Sequence, residues 1–216
     1  SRAEAMGAYE ELAADAGYDR EDLLDVGEAL DYAAHWLRYA EGKTLVNDAL
    51  NVGCDDDARH EELVTFLAER SERDVERQLE AIDEHVEHER LASGAHLYRI
   101  DVDEYAHRFT YPAPGKTTGE LHDAKVESTG DPVITIGYGP DFAVLRSDGV
   151  RLDIPTMVTE LDEELPEAGV SGGGHLVVGS IKFVKGRREA VIDALIGKMA
   201  NAEIDEALSA AAVPEK

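Results

Sequence analysis

Apolar residues recur at helical spacing from residue 1 to about residue 90. Leu12, Leu23, Leu24, Leu30, Ala34, Leu37 and Ala40 follow the three- and four-residue steps of a helix face. Asp22 stands where it would cap the segment containing Trp36. Gly53 with Asp55-Asp56-Asp57 marks a break. From Arg59 to Arg90 the series Leu63, Phe66, Leu67, Val75, Leu79, Ile82 and Val86 keeps to one face, and Glu, Asp and Arg crowd the other. This pattern predicts a long connecting helix, with an interruption near Ser71.

At Ser93-Gly94 the period changes. Leu97 to Val102 alternates as a strand does. A loop with Pro112 and Pro114 follows, and Gly115-Lys116-Thr117-Thr118 opens a helix with Thr117 and Glu120 spaced as a capping box. Pro132–Gly137 and Phe142–Arg146 read as strands. Asp148-Gly149 signals a hairpin into Val150-Arg151-Leu152. Ile154 to Leu165 reads as a helix, Pro166 to His175 as a loop, Leu176 to Val184 as a strand, and Arg187 to about Ala212 as a closing helix. The expectation is an α/β (α+β) chain: a helical N-terminal connector over 1–92, then a mixed β-sheet of about five strands flanked by helices over 93–216.

The 216 residues carry 47 Asp+Glu against 21 Lys+Arg, a formal charge of -26 spread along the chain. Such a surface is that of a salt-adapted cytoplasmic protein, kept dispersed by its carboxylates. At molar salt the Debye length is about 3 Å, so binding of a nucleic acid must rest on short, preorganised contacts rather than long-range steering. No stretch approaches the roughly 18 apolar residues of a membrane span, and no secretory signal is visible. The single cysteine, Cys54, rules out an internal disulfide framework and fits a reducing cytoplasm. The chain opens at Ser1 rather than Met, as a processed product or the downstream part of a longer protein would.

Candidate chemistry concentrates late in the chain. Gly172, Gly173 and Gly174 permit positive φ without steric cost, so their N–H groups can form a nest for an oxyanion, with His175 at its mouth. A flexible helix-to-strand turn is the plainer alternative. Lys182, Lys185, Arg187 and Arg188 then place four cations within seven residues, two of them where a helix should start and its dipole disfavours them. They suggest an anionic ligand, with solvated arginines as the alternative. Arg146 and Ser147 end a strand, a common ligand address in open α/β sheets, and an arginine there can fork two hydrogen bonds to a phosphate.

Other motifs lead nowhere. Gly115-Lys116-Thr117 is not a P-loop, because Thr110 stands where a glycine is needed and Pro112 and Pro114 remove amide donors. His85 and His88 share a charged helical face with Glu84, Glu87 and Glu89 but lack a third converging ligand. His122-Asp123 reads as the exposed side of a helix with no partner, and His96 and His107 carry no signal. Cys54 among aspartates is a poor nucleophile. No catalytic residue and no metal ligand set is read in this chain.

The run Val144-Leu145-Arg146-Ser147, then Leu152-Asp153-Ile154, a helix, and Gly172-Gly173-Gly174-His175 with Gly179 beyond, resembles the DHH-associated domain. This is the C-terminal, substrate-binding domain of DHH phosphoesterases, which include RecJ-like exonucleases and small-oligonucleotide phosphodiesterases. The resemblance spans roughly 95–212, and the acidity is similar to that of haloarchaeal members. It implies that Arg146 and His175 hold a phosphate of the nucleic-acid chain, with Gly172, Gly173 and Gly174 as the nest and Ser147 as a weaker contact. One departure is Val177-Val178, where the family carries two alanines. A larger one is that the family's manganese ligands, including an Asp-His-His triplet, do not occur here. The resemblance therefore implies a non-catalytic half that binds and positions single-stranded nucleic acid or an oligonucleotide for a manganese-bearing half outside this chain. Taken alone the chain is expected to be inactive. Homo-oligomerisation remains open.

Two rival functions follow from the same residues. A non-catalytic interaction module of a replication or repair complex would use the acidic helices of residues 1–90. An editing hydrolase related to alanyl-tRNA synthetases would need zinc ligands that a chain with one cysteine does not supply.

Overall fold

The computed structural model describes residues 2–15, 17–36, 57–107 and 109–209. Cys54 and the break at Gly53 lie outside them. The chain divides into two compact units, Ser1–Glu76 and Arg77–Lys216.

The first unit is helical. Helix α1 spans Arg2–Asp15 and α2 spans Arg20–His35. The cap of α2 is Asp19, not Asp22: its carboxylate accepts from the N–H groups of Glu21 and Asp22, and the Asp22 carboxylate accepts from the Asp19 N–H. Asp22 thus serves as the third residue of a capping box. Helix α3, Asp57–Asp83, enters this unit and runs through Ser71 without interruption. Ser71 is buried, and its hydroxyl donates to Glu28 at 2.8 Å, so the serine joins helices instead of breaking one.

The second unit is a six-stranded mixed sheet in the order β1-β2-β3-β4-β7-β6. Strand β1 is Glu87–Arg90, where the sequence pattern predicts helix. Its alternating Glu-His-Glu-Arg has no apolar face, and cross-strand pairs hold it to β2, His96–Asp101. Arg99 meets Glu87 at 2.7 Å, and the His88 ring stacks on Tyr98. Helix α4, Pro114–Thr129, joins β2 to the parallel strand β3, Val133–Tyr138. Its N-cap is Ala113 with no side-chain cap bond, so the expected Thr117–Glu120 box does not form. Thr117 lies within the helix, and its hydroxyl donates to the Ala113 carbonyl at 3.3 Å.

Strand β4, Phe142–Asp148, is antiparallel to β3 and, on its other edge, to β7, Val178–Lys182. With both edges taken, β4 offers none to a hairpin partner. Asp148-Gly149 therefore turns the chain out of the sheet, and β5, Val150–Arg151, pairs with β8, Glu203–Ile204. Helix α5 is Ile154–Glu164. Closing helix α6 is Arg188–Met199, shorter than expected because the chain must return to form β8. Ile134, Ile136, Leu145 and Ile181 of the sheet join Leu161 of α5 and Val191, Leu195 and Met199 of α6 in one buried cluster. Each such side chain contributes about 2 kcal/mol through burial. The fold class expected from the sequence is the one observed, with six strands in the main sheet instead of about five.

A candidate ligand cleft at one end of the sheet

Side chains alternate across a sheet, so Leu145 enters the core while Arg146 points to the opposite face. There α4 packs over β3 and β4. A Cβ on Gly137 of β3 would overlap the Thr118 hydroxyl, and a Cβ on Gly119 of α4 would stand 3.2 Å from the Arg146 guanidinium. The absence of side chains at these two positions lets the helix come down and the arginine pass beneath it. Arg146 Nε is buried without a hydrogen-bond partner, and among the described residues the guanidinium forms no ion pair. Arg20, Arg73 and Lys182 also lack an ion pair among the described residues, but they are exposed, whereas Arg146 is partly buried beneath a helix.

One turn beyond Gly119 lies His122. The sequence places it on the exposed side of the helix, yet it is 6% exposed and its Nδ1 lies 2.9 Å from Thr135 Oγ1 on β3. Burial holds its pKa below the ordinary histidine value; Asp123 and Asp148 oppose that shift and Arg146 reinforces it. The imidazole is therefore neutral near pH 7 and serves as a hydrogen-bonding group. The sequence does hold a signal for this. Thr117, Thr118, Leu121 and His122 fall at three- and four-residue steps, a buried helix face on which Leu121 is the one large aliphatic side chain.

His122, Arg146 and Ser147 line a cleft of about 520 Å³ together with Val126, Val177 and Val178. Asp123, Glu127 and Asp148 border it, and 207–209 close one side. Ser147 is buried and its hydroxyl donates to the Val150 carbonyl at 2.8 Å, so its side chain is already engaged. Asp148 accepts from the Ser209 hydroxyl at 2.8 Å.

The glycine triplet is strand β6, Ser171–Gly174, not a loop. It is the outer strand beside β7, with Gly174 opposite Gly179 and Gly172 opposite Ile181. A Cβ on Gly172 or Gly174 would overlap the backbone of β7, whereas Gly173 has open space beside it. Two of the three glycines thus allow close strand contact, and the amides do not curl into a nest. His175 is exposed just past the strand, and its N–H donates to the Val178 carbonyl at 2.7 Å. Val178 is also the Cα partner of Arg146. Arg146 and His175 therefore share one end of the sheet, two strands or about 10 Å apart.

The basic run lies elsewhere. Lys182 pairs in register with Phe142 at the far end of β4, four residues or roughly 13 Å from the Arg146 position. Arg188 bonds Asp101 at 2.5 Å, Arg187 stands 3.7 Å from Glu167, and Lys185 stands 4.0 Å from Asp141. These three cations are engaged within the fold, so the structure does not join them to the cleft. His85 follows the end of α3 and His88 lies in β1, so they share no helical face. Among the described residues no three His, Cys, Asp or Glu side chains are placed to hold a metal ion. The manganese implied by the resemblance finds no fitting donor set there. No helix among them is long and apolar enough to cross a membrane.

Known proteins supply the context for this geometry. No family model matches the chain. An uncharacterised protein of Methanocaldococcus jannaschii is 44% identical over 186 residues, which are 83% of this chain and 24% of that protein. A solved structure described as a DHH-domain member of the S1P family of ribosomal proteins superposes with a TM-score of 0.82 at 37% identity, over 90% of this chain and 46% of its own. The fold is that of a DHH-domain protein. RecJ from Thermus thermophilus aligns over 81% of this chain and 25% of its own at 15% identity and a TM-score of 0.46, too distant to bear on function. The chain spans about a quarter of the curated relative and just under half of the solved DHH-domain chain.

Proposed function

We propose that this chain is the substrate-binding half of a RecJ-like DHH phosphoesterase, of haloarchaeal type, that hydrolyses phosphodiester bonds of single-stranded nucleic acid or short oligonucleotides. Arg146 and the exposed His175 hold a phosphate of the strand at one end of the sheet. The observation that carries this reading is the partly buried Arg146 guanidinium, which among the described residues forms no ion pair in a chain so rich in carboxylates. An arginine with no ion pair among the described residues is available to fork onto a phosphate. Manganese, in this proposal, sits on the half outside the chain, where paired ions activate water and clamp the scissile group. The residues of this chain bind and orient the strand, and alone it cleaves nothing. The solved DHH-domain relative is described as a ribosomal-protein family member, so RNA is the strand to test first.

The test is binding of a short 5′-phosphorylated oligoribonucleotide at molar salt. Arg146→Ala is expected to weaken it about a hundredfold, near 2.7 kcal/mol, and His175→Ala about tenfold. Equal affinity in wild type and both variants removes the assigned roles.

A further inference from the structure

We propose that the cleft between α4 and the end of β4 is a nucleobase pocket, taking an amino-bearing base of the strand whose phosphate Arg146 holds. The proposal rests on the phosphate reading of Arg146 given above. Three observations point to a base and not to a second phosphate. The first is charge. Asp123, Glu127 and Asp148 border the cleft against one guanidinium. A phosphate driven into it would meet three carboxylates, whereas a neutral ring with an exocyclic amino group meets them as acceptors, as carboxylates accept from cytosine N4 in groove recognition. Asp123 and Glu127 are exposed, one helical turn apart on α4, and placed to read that amino group.

The second observation is the wall. Val126 of α4 and Val177 and Val178 beside β4 give the cleft an apolar lining. Flat heterocycles bury well against aliphatic side chains. The third is His122. Its Nδ1 is fixed by Thr135, which orients the ring, and the ring edge lines the cleft. Burial keeps it neutral. It thus offers hydrogen bonding without adding a charge that would draw phosphate inward. A cleft of about 520 Å³ lies within the range of small-ligand sites.

The experiment titrates the full chain with AMP, CMP, UMP, ribose 5-phosphate and adenosine, read by calorimetry and by the methyl resonances of Val126, Val177 and Val178. AMP and CMP are expected to bind about tenfold more tightly than ribose 5-phosphate, with UMP weaker than CMP and with those three methyl groups shifting. Val126→Ala, which shortens the wall without adding charge, should weaken AMP and CMP severalfold and narrow their advantage over ribose 5-phosphate. Ribose 5-phosphate binding as tightly as AMP, or AMP leaving the valine methyls unmoved, overturns the pocket even if the variant misfolds. The two readings fail separately. Phosphate binding that depends on Arg146 with no contribution from the base sinks the pocket alone. Adenosine binding at the valines without any dependence on Arg146 sinks the phosphate reading alone and leaves a base site standing. No binding by any of the five sinks both.

Discussion

The two ends of one sheet use positive charge in opposite ways. At the end carrying Lys182 to Arg188, the best-placed cation is spent on the fold, Lys185 and Arg187 stand 4.0 and 3.7 Å from surface carboxylates, and Lys182 is exposed with no ion pair among the described residues. Arg188 reaches Asp101, which is 5% exposed and also accepts from the N–H groups of Asp103 and Glu104. At the other end Arg146 lies under α4 with Nε buried and no carboxylate partner among the described residues. A sequence count makes the first end look like the anion site, because four cations stand together. Burial together with pairing reverses that judgement: what matters for a ligand is not the number of cations but which one the fold holds in place, partly buried, without neutralising it.

The strongest way to test the contrast is to remove one cation at each end. Arg188→Ala strands a buried carboxylate, which costs about 3 kcal/mol; the half-open setting of the arginine brings this nearer 2 kcal/mol. Denaturant unfolding should show that loss while oligonucleotide affinity stays within twofold of wild type, roughly 0.4 kcal/mol. Arg146→Ala should do the reverse. A variant at Arg188 that loses affinity as Arg146→Ala does would erase the distinction between the two ends.

Next in size is the floor beside Arg146. Gly174→Ala places a methyl into the backbone of β7, and overpacking of that kind costs about 1–3 kcal/mol. Gly173→Ala points into open space at a backbone conformation alanine can adopt, and should leave stability level or raise it by up to about 1 kcal/mol, because alanine has less backbone entropy to lose. Thermal unfolding of the pair measures whether the triplet serves strand contact. Equal stability of the two variants would return the glycines to the nest assigned on sequence grounds.

How much of this is legible in the sequence depends on whether a segment carries an apolar period. Strands β2, β3 and β4 and helix α5 are readable because Leu97, Ile134, Leu145 and Leu161 sit in clear patterns. Strand β6 reads as loop because glycine contributes no period, and its pairing with β7 is a tertiary fact. Strand β1 reads as helix because Glu87-His88-Glu89-Arg90 gains its stability across the sheet, from Arg99 and Tyr98. The Asp148-Gly149 hairpin fails because turn chemistry is local and cannot know that both edges of β4 are occupied. At the site, Arg146 is legible as a strand-end cation. His122 is not, since Thr118 and Gly119, one turn before it on α4, carry no apolar signal and leave Leu121 alone to mark the buried face.

His122 yields a smaller effect with a definite sign. Its folded pKa lies below the ordinary histidine value of 6.5 because of burial. At pH 5.5 the unfolded chain binds the proton more readily than the folded one, so stability is full above about 6.5 and declines as pH falls below it. His122→Gln keeps a partner for Thr135 and removes the titration. Its stability should be flatter than wild type between about pH 6.5 and 5.5, a window above most carboxylate titration, with a difference of at most about 1 kcal/mol. Parallel curves would place the imidazole in solvent and detach it from the cleft.

The smallest expected effect is the most discriminating, because two consequences of one methyl group run in opposite directions. Gly119→Ala replaces a poor helix former within α4, worth up to about 1 kcal/mol in favour of the helix. The added Cβ stands 3.2 Å from Arg146 Nη2 and 3.5 Å from its Cζ. A guanidinium is the far end of a flexible side chain, so it moves by a few tenths of an ångström instead of breaking the packing. Stability should therefore rise slightly or stay level. Phosphate contacts depend on fork geometry, so oligonucleotide affinity should fall by about twofold to threefold. A variant both more stable and weaker in binding would separate the arginine's position from its contribution to the fold. A variant with unchanged affinity would mean that the guanidinium reaches its ligand from a place the helix does not control.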